Sequence, residues 1–69
     1  MKLKDSRLAS GFSQSQLSRA SGVGLLVIQS IEQGARDINK AEAENLYRLA
    51  FVLGVNMEDL MDVERINIK

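Results

Sequence analysis

The chain has 69 residues, nine Lys and Arg against nine Asp and Glu, and no cysteine or histidine. A chain this short makes one small domain near the lower limit of independent folding, a size that dimerisation helps to stabilise. The missing residue types exclude disulfides, thiolate metal sites and the commonest metal ligand and general base, so neither an enzyme nor a metal or other cofactor is expected.

No apolar run approaches the roughly 18 residues that span a membrane, and no signal peptide is visible, so a soluble, cytoplasmic protein is expected. The neutral total hides an uneven distribution. Lys2, Lys4, Arg7, Arg19 and Arg36 face only Asp5 and Glu32 in residues 1–36, whereas residues 37–69 hold four basic and seven acidic side chains. The basic half contains the helix pair described next.

The first element is a helix over about residues 2–10, with Leu3 and Leu8 as candidates for its buried side. Gly11 ends it, and Phe12 folds back as its hydrophobic contact. Ser13 and Gln16 then form an S-x-x-Q capping box, in which the hydroxyl accepts from the N–H near Gln16 and the amide reaches back to the Ser13 N–H. Leu17 and Ala20 recur at helical spacing, and Gly22 closes this second helix because it takes positive φ freely. Gln14 and Ser15 stand in its first turn, where side chains and unpaired backbone N–H groups favour an anion such as a phosphate. Val23 follows as an apolar plug, and a third helix runs from Gly24 or Leu25 to Gln33, stopped by Gly34. Two such helices joined by a short turn with a glycine are the sequence form of a helix-turn-helix.

At about 100° per residue, Ile28 and Ile31 define the core side of the third helix, with Glu32 on its flank. Leu26 then points away from the core. Gln29, Ser30 and Gln33 also face outward, and Leu25 and Val27 lie on the shoulders. Beyond Gly34, Arg36 and Lys40 add basic side chains to the segment that follows the third helix. Asn39, with Glu42 three residues on, reads as a second capping box opening a helix to Leu53. Ala43, Leu46, Leu49, Ala50 and Leu53 form its apolar side. Tyr47 and Phe51, four apart, suit packing in a core or an interface far better than base stacking, which belongs to single-strand binders. Asn56 caps a last short helix over residues 57–62, with Glu58 and Asp59 in its first turn. Val55, Leu60 and Met61 complete the core. Residues 63–69 form a tail, either frayed or a small strand that pairs with a partner subunit.

The run SQSQLSRASGV followed by VIQSIEQG resembles the lambda-repressor and Cro-like helix-turn-helix family of bacterial and phage regulators. The family's pattern is roughly S-Q-x-x-L-A-x-x-x-G-V and then I-S-x-I-E-x-G, and the likeness extends from Leu3 to about Met61. It implies an all-α, five-helix domain over residues 1–62, with the helix-turn-helix at helices 2 and 3. It also implies a sequence-specific, double-stranded DNA-binding transcriptional regulator of repressor type, with helix 3 in the major groove. A homodimer formed through the C-terminal region would set two reading helices on a two-fold operator. By the same resemblance Gln14 meets a phosphate or a first base, and Arg7 pairs with Glu32 in a partly buried, structural ion pair. The DNA-contact set is then Gln14, Ser15, Leu25, Leu26, Gln29, Ser30, Gln33, Arg36 and Lys40.

The chain departs from the family at the start of the third helix. Polar or basic residues are usual there because base edges are read by hydrogen bonds. Here the residues are Gly24, Leu25, Leu26 and Val27, and Gly24 is a weaker N-cap than Ser or Thr. Three readings stay open. Leu26 and Val27 can pack on thymine methyls while Gln29 and Ser30 bond to bases. Alternatively, the apolar Leu25, Leu26 and Val27 surface binds a protein partner on a helix-turn-helix scaffold, with weak or no DNA binding. Lastly, the chain is an altered one whose reading helix is disabled.

Overall fold

The computed structural model describes residues 2–61, and among them the chain forms four α-helices and two single 3₁₀ turns. Helix α1 (Lys2–Ala9) turns Leu3 and Arg7 inward, one helical turn apart. Leu8, expected beside Leu3, is instead 57% exposed. Five residues on, it stands about 140° around the helix from Leu3. Gly11, at φ 79°, reverses the chain, and the Phe12 N–H donates to the Arg7 carbonyl at 3.1 Å.

Helix α2 (Gln14–Ser21) starts with both bonds of the capping box present. The Gln16 N–H donates to Ser13 Oγ at 3.1 Å, and the Ser13 N–H donates to Gln16 Oε1 at 2.9 Å. Its inward residues are Leu17 and Ser21 rather than Leu17 and Ala20, because residues four apart share a face. Ser21 Oγ donates to the Leu17 carbonyl at 2.7 Å and accepts from the Val23 N–H at 3.2 Å, and Ser18 Oγ donates to the Val23 carbonyl at 2.6 Å. These bonds satisfy the polar groups of a turn whose central Val23 is buried. A Cβ on Gly22, which stands at φ 76°, would come within 2.9 Å of Arg48 Nη1, so the Arg48 side chain lies against this turn.

Helix α3 (Leu25–Glu32) buries Ile28 and Ile31. The Ala35 and Arg36 N–H groups then both donate to the Ser30 carbonyl, at 2.9 and 3.1 Å. Asn39, expected to cap a helix, does not. A 3₁₀ turn, Ile38–Lys40, intervenes, and the Asp37 side chain accepts from the Asn39 N–H at 2.9 Å. The turn folds Ile38, fully buried, into the core. Helix α4 (Ala43–Leu53) therefore starts later, at Glu42, which makes no side-chain cap bond. It buries Leu46, Leu49, Ala50 and Leu53, while Ala43 in its first turn is exposed.

The expected fifth helix is a single 3₁₀ turn, Met57–Asp59. Asp59 Oδ2 accepts from the Asn56 N–H at 3.0 Å, and the Leu60 and Met61 N–H groups donate three residues back. That tighter winding delivers Leu60 to the core within one turn. Residues 63–69, expected as a frayed end or a dimerising strand, lie outside the described residues.

One apolar cluster takes residues from every helix, with Leu3, Leu17, Ile28, Ile31 and Leu49 at its centre and Val55, Met57 and Met61 packed at its edge. Each fully buried aliphatic side chain contributes about 1.5–3 kcal/mol. Helix α2 packs against both α3 and α4, so the outer face of α3 is displayed from a fixed base. No described helix is long and apolar enough to cross a membrane.

Candidate nucleic-acid interface

The outer face of α3 is held from beneath by charge. Arg7 Nε donates to Glu32 Oε2 at 2.8 Å and Arg7 Nη2 donates to Glu32 Oε1 at 2.9 Å. Both side chains are nearly inaccessible, at 8% and 3% exposure. Burial alone pushes the Glu32 carboxyl up. The hydrogen bonds from Arg7 and Gln14, with the charges of Arg7 and Lys4, outweigh it and hold the group below its usual range. The Arg7 guanidinium is held further above its usual value, first by its hydrogen bonds to Glu32. Arg7 Nη1 also donates to the Phe12 carbonyl at 2.9 Å, so one side chain ties together α1, the turn before α2 and the end of α3.

Gln14 joins this network, a link that nothing in the sequence announced. Its Nε2 donates to Glu32 Oε1 at 3.1 Å, and its Oε1 accepts from Gln29 Nε2 at 3.5 Å. The first turn of α2 and the middle of α3 thus share a line of amides running outward from a buried carboxylate. Among the described residues, Gln29 Oε1 accepts no hydrogen bond, and the side chain is half-buried.

Around Gln29 the structure places the remaining candidates differently. Leu26 is 76% exposed, while Leu25 is half-buried. Val27 is half-buried and packs on the core, which withdraws most of it from the outer face. Ser30 is half-buried and Gln33 exposed. Ser15, Arg36 and Lys40 are exposed, and their side chains form no hydrogen bond or ion pair among the described residues. Gln14, Gln29 and Glu32 are therefore brought together, and the other polar candidates remain available to a partner.

A second surface lies at the end of α4. Tyr47 and Phe51, expected in a core or an interface, are not in the core. They are exposed, with ring centroids 6.2 Å apart. With Ala50, Val55, Met57 and Glu58 they line an open groove of about 470 Å³. The position of Arg48 against the Gly22 turn was also unforeseen. Its only sequence signal is the spacing to Glu44, with which it forms an exposed i,i+4 pair at 3.2 Å.

A family model described as helix-turn-helix matches residues 3–60. No curated protein and no solved structure matches the chain.

Proposed function

Because this chain belongs to the helix-turn-helix family of lambda-repressor and Cro-like domains, a family of DNA-binding regulators, we propose that it is a sequence-specific transcriptional regulator of repressor type. It binds double-stranded DNA with α3 in the major groove. Leu25, Leu26, Gln29, Ser30 and Gln33 face base edges, Gln14 and Ser15 approach a phosphate, and Arg36 and Lys40 touch the duplex backbone. The observation that carries this reading is the amide line from Glu32 through Gln14 to Gln29. It reaches from a buried carboxylate to Gln29 on the outward side of α3, its last step a contact of 3.5 Å, and this favours a hydrogen-bonding side chain oriented before any partner arrives.

The protein acts as a two-fold dimer whose subunits meet at the Tyr47 and Phe51 face. Two exposed aromatic rings and a groove beside them supply the apolar surface that such a contact needs. The symmetry would set two copies of α3 about 34–36 Å apart.

Leu26 favours a second reading, a protein-interaction module on the same scaffold, since it leaves a large apolar side chain in water. Selection from a random duplex pool at about 0.1 M salt, where charges beyond roughly 10 Å are screened, separates the two. Enrichment of a two-fold symmetric site supports the regulator. Weak, sequence-blind retention supports the interaction module.

A further inference from the structure

The groove at the end of α4 has a chemistry of its own. Tyr47, Ala50 and Phe51 come to it from α4, and Val55, Asn56, Met57 and Glu58 from the segment that follows. Its volume of about 470 Å³ falls within the roughly 300–1,000 Å³ of small-ligand sites, which are likewise mostly apolar with a few polar groups. Tyr47 and Phe51 are 58% and 74% exposed, and their rings lie 28° from parallel. The face of each ring carries partial negative charge, so the pair attracts a cation while covering its carbon surface.

Glu58 adds a full negative charge. Its neighbour Asp59 is committed, accepting from the Asn56 N–H at 3.0 Å. The Glu58 side chain makes no hydrogen bond or ion pair among the described residues. No basic residue lies in 54–61. Arg48, next to Tyr47 on α4, is paired with Glu44, and Lys2 gives its ammonium to the Met61 carbonyl at 3.0 Å. Two ring faces and an uncommitted carboxylate complement an ammonium on an apolar body. An anion would be repelled by Glu58. A neutral apolar molecule would strip water from Glu58 without replacing its hydrogen bonds. A second subunit cannot supply the cation either, because a two-fold axis brings another Glu58 to the same patch.

We propose that this groove is a binding site for a small organic cation, an alkylammonium whose charge meets the Tyr47 and Phe51 rings and the Glu58 carboxylate. The site shares both rings with the subunit contact given above, so on that reading a bound cation competes with dimerisation.

Tyr47 is the only tyrosine and the chain has no tryptophan, so tyrosine emission reports on this groove alone. The probes are choline and dimethylbutanol, its neutral analogue with carbon in place of nitrogen. Each is titrated at constant ionic strength into protein dilute enough to sediment as a monomer. Choline should give a saturable change in the millimolar range, at least about five-fold tighter than the alcohol. Glu58→Gln and Phe51→Leu should each weaken choline about two- to five-fold, with unchanged helical circular dichroism because both positions are exposed. Equal affinity for the alcohol overturns the proposal. So does choline binding that Glu58→Gln leaves intact, and so does the absence of a saturable change. The subunit contact is tested apart, by sedimentation at higher protein concentration. A dimer that choline disperses and the alcohol does not fits competition for the rings. Choline binding by a chain that stays monomeric at every concentration removes the subunit contact and leaves the cation site standing.

Discussion

Arg7 grips both oxygens of Glu32, tying the last turn of α1 to the last residue of α3 across 25 positions of sequence. The geometry is the planar fork that guanidinium and carboxylate form well and that a lysine cannot reproduce. Neither charge has water to fall back on, because both side chains are almost wholly covered.

Removing one partner should therefore be costly. Arg7→Ala or Glu32→Ala is expected to lose about 3–5 kcal/mol, since each strands a buried charge. Replacing both with apolar residues, as in Arg7→Met with Glu32→Leu, should recover much of that loss. Denaturant midpoints of the three variants give the comparison. Single variants within about 0.5 kcal/mol of the parent would mean that the pair behaves as ordinary surface charge.

The same pair sets a pH dependence. Glu32 has a folded pKa below its ordinary value of 4.5. Such a group stabilises the fold fully above its unfolded pKa, and the contribution is lost as pH falls through the lower folded value. The wild-type protein should weaken progressively with acid below about pH 4.5. Glu32→Gln, which cannot titrate, should start less stable and show a flatter acid limb. Thermal melts from about pH 6 down to pH 2 check this, and parallel limbs for the two proteins would remove Glu32 as the source.

Gln29 and Ser30 carry the polar part of the proposed base recognition. Their double replacement by Ala should reduce affinity for the selected site by about 1–3 kcal/mol for each bidentate hydrogen-bonded pair removed, with little change for unrelated duplexes. Helical circular dichroism should stay as it was, because both residues sit on the outer side of α3. Unchanged discrimination between selected and random sequence would take the reading role away from them.

Local chemistry makes most of this arrangement legible. The Ser13–Gln16 box, the Gly22 turn and the Ile28–Ile31 face all depend on spacings of four residues or fewer, and each stands where those spacings put it. The misplacements arise where a tertiary demand competes with a local signal. Asn39 and Glu42 have capping-box spacing, yet the core draws Ile38 inward and winds that stretch into a 3₁₀ turn. Leu8 is as apolar as Leu3, but only residues one turn from Leu3 reach the core, and Arg7 takes that place. The link between Gln14 and Glu32 spans 18 positions, so no window of sequence displays it.

Phe51 tests the proposed dimer. It is 74% exposed and stacks on the likewise exposed Tyr47, so Phe51→Ser should leave the melting temperature nearly unchanged. It should convert a dimer to monomers in sedimentation equilibrium at micromolar concentration. Binding to a symmetric site should weaken together with it, because two unlinked subunits no longer hold each other at a high effective concentration over the paired half-sites. A variant that still sediments as a dimer would move the subunit interface away from this face.

Gly24→Ser separates folding from recognition because its two expected effects have opposite signs. The hydroxyl can accept from a free N–H in the first turn of α3, which has no side-chain cap at present. The backbone at φ −58° and the 3.7 Å clearance to Val27 admit the side chain without strain. Serine exceeds glycine as an N-cap by only a few tenths of a kcal/mol, so the melting temperature should hold or rise slightly. The same side chain stands where the duplex would approach Leu26, so affinity for the selected site should fall. A protein that is both as stable as the parent and weaker on DNA fits a glycine kept for access. A protein that is destabilised would mean that position 24 serves the fold. Unimpaired binding would mean that nothing comes close to this end of α3.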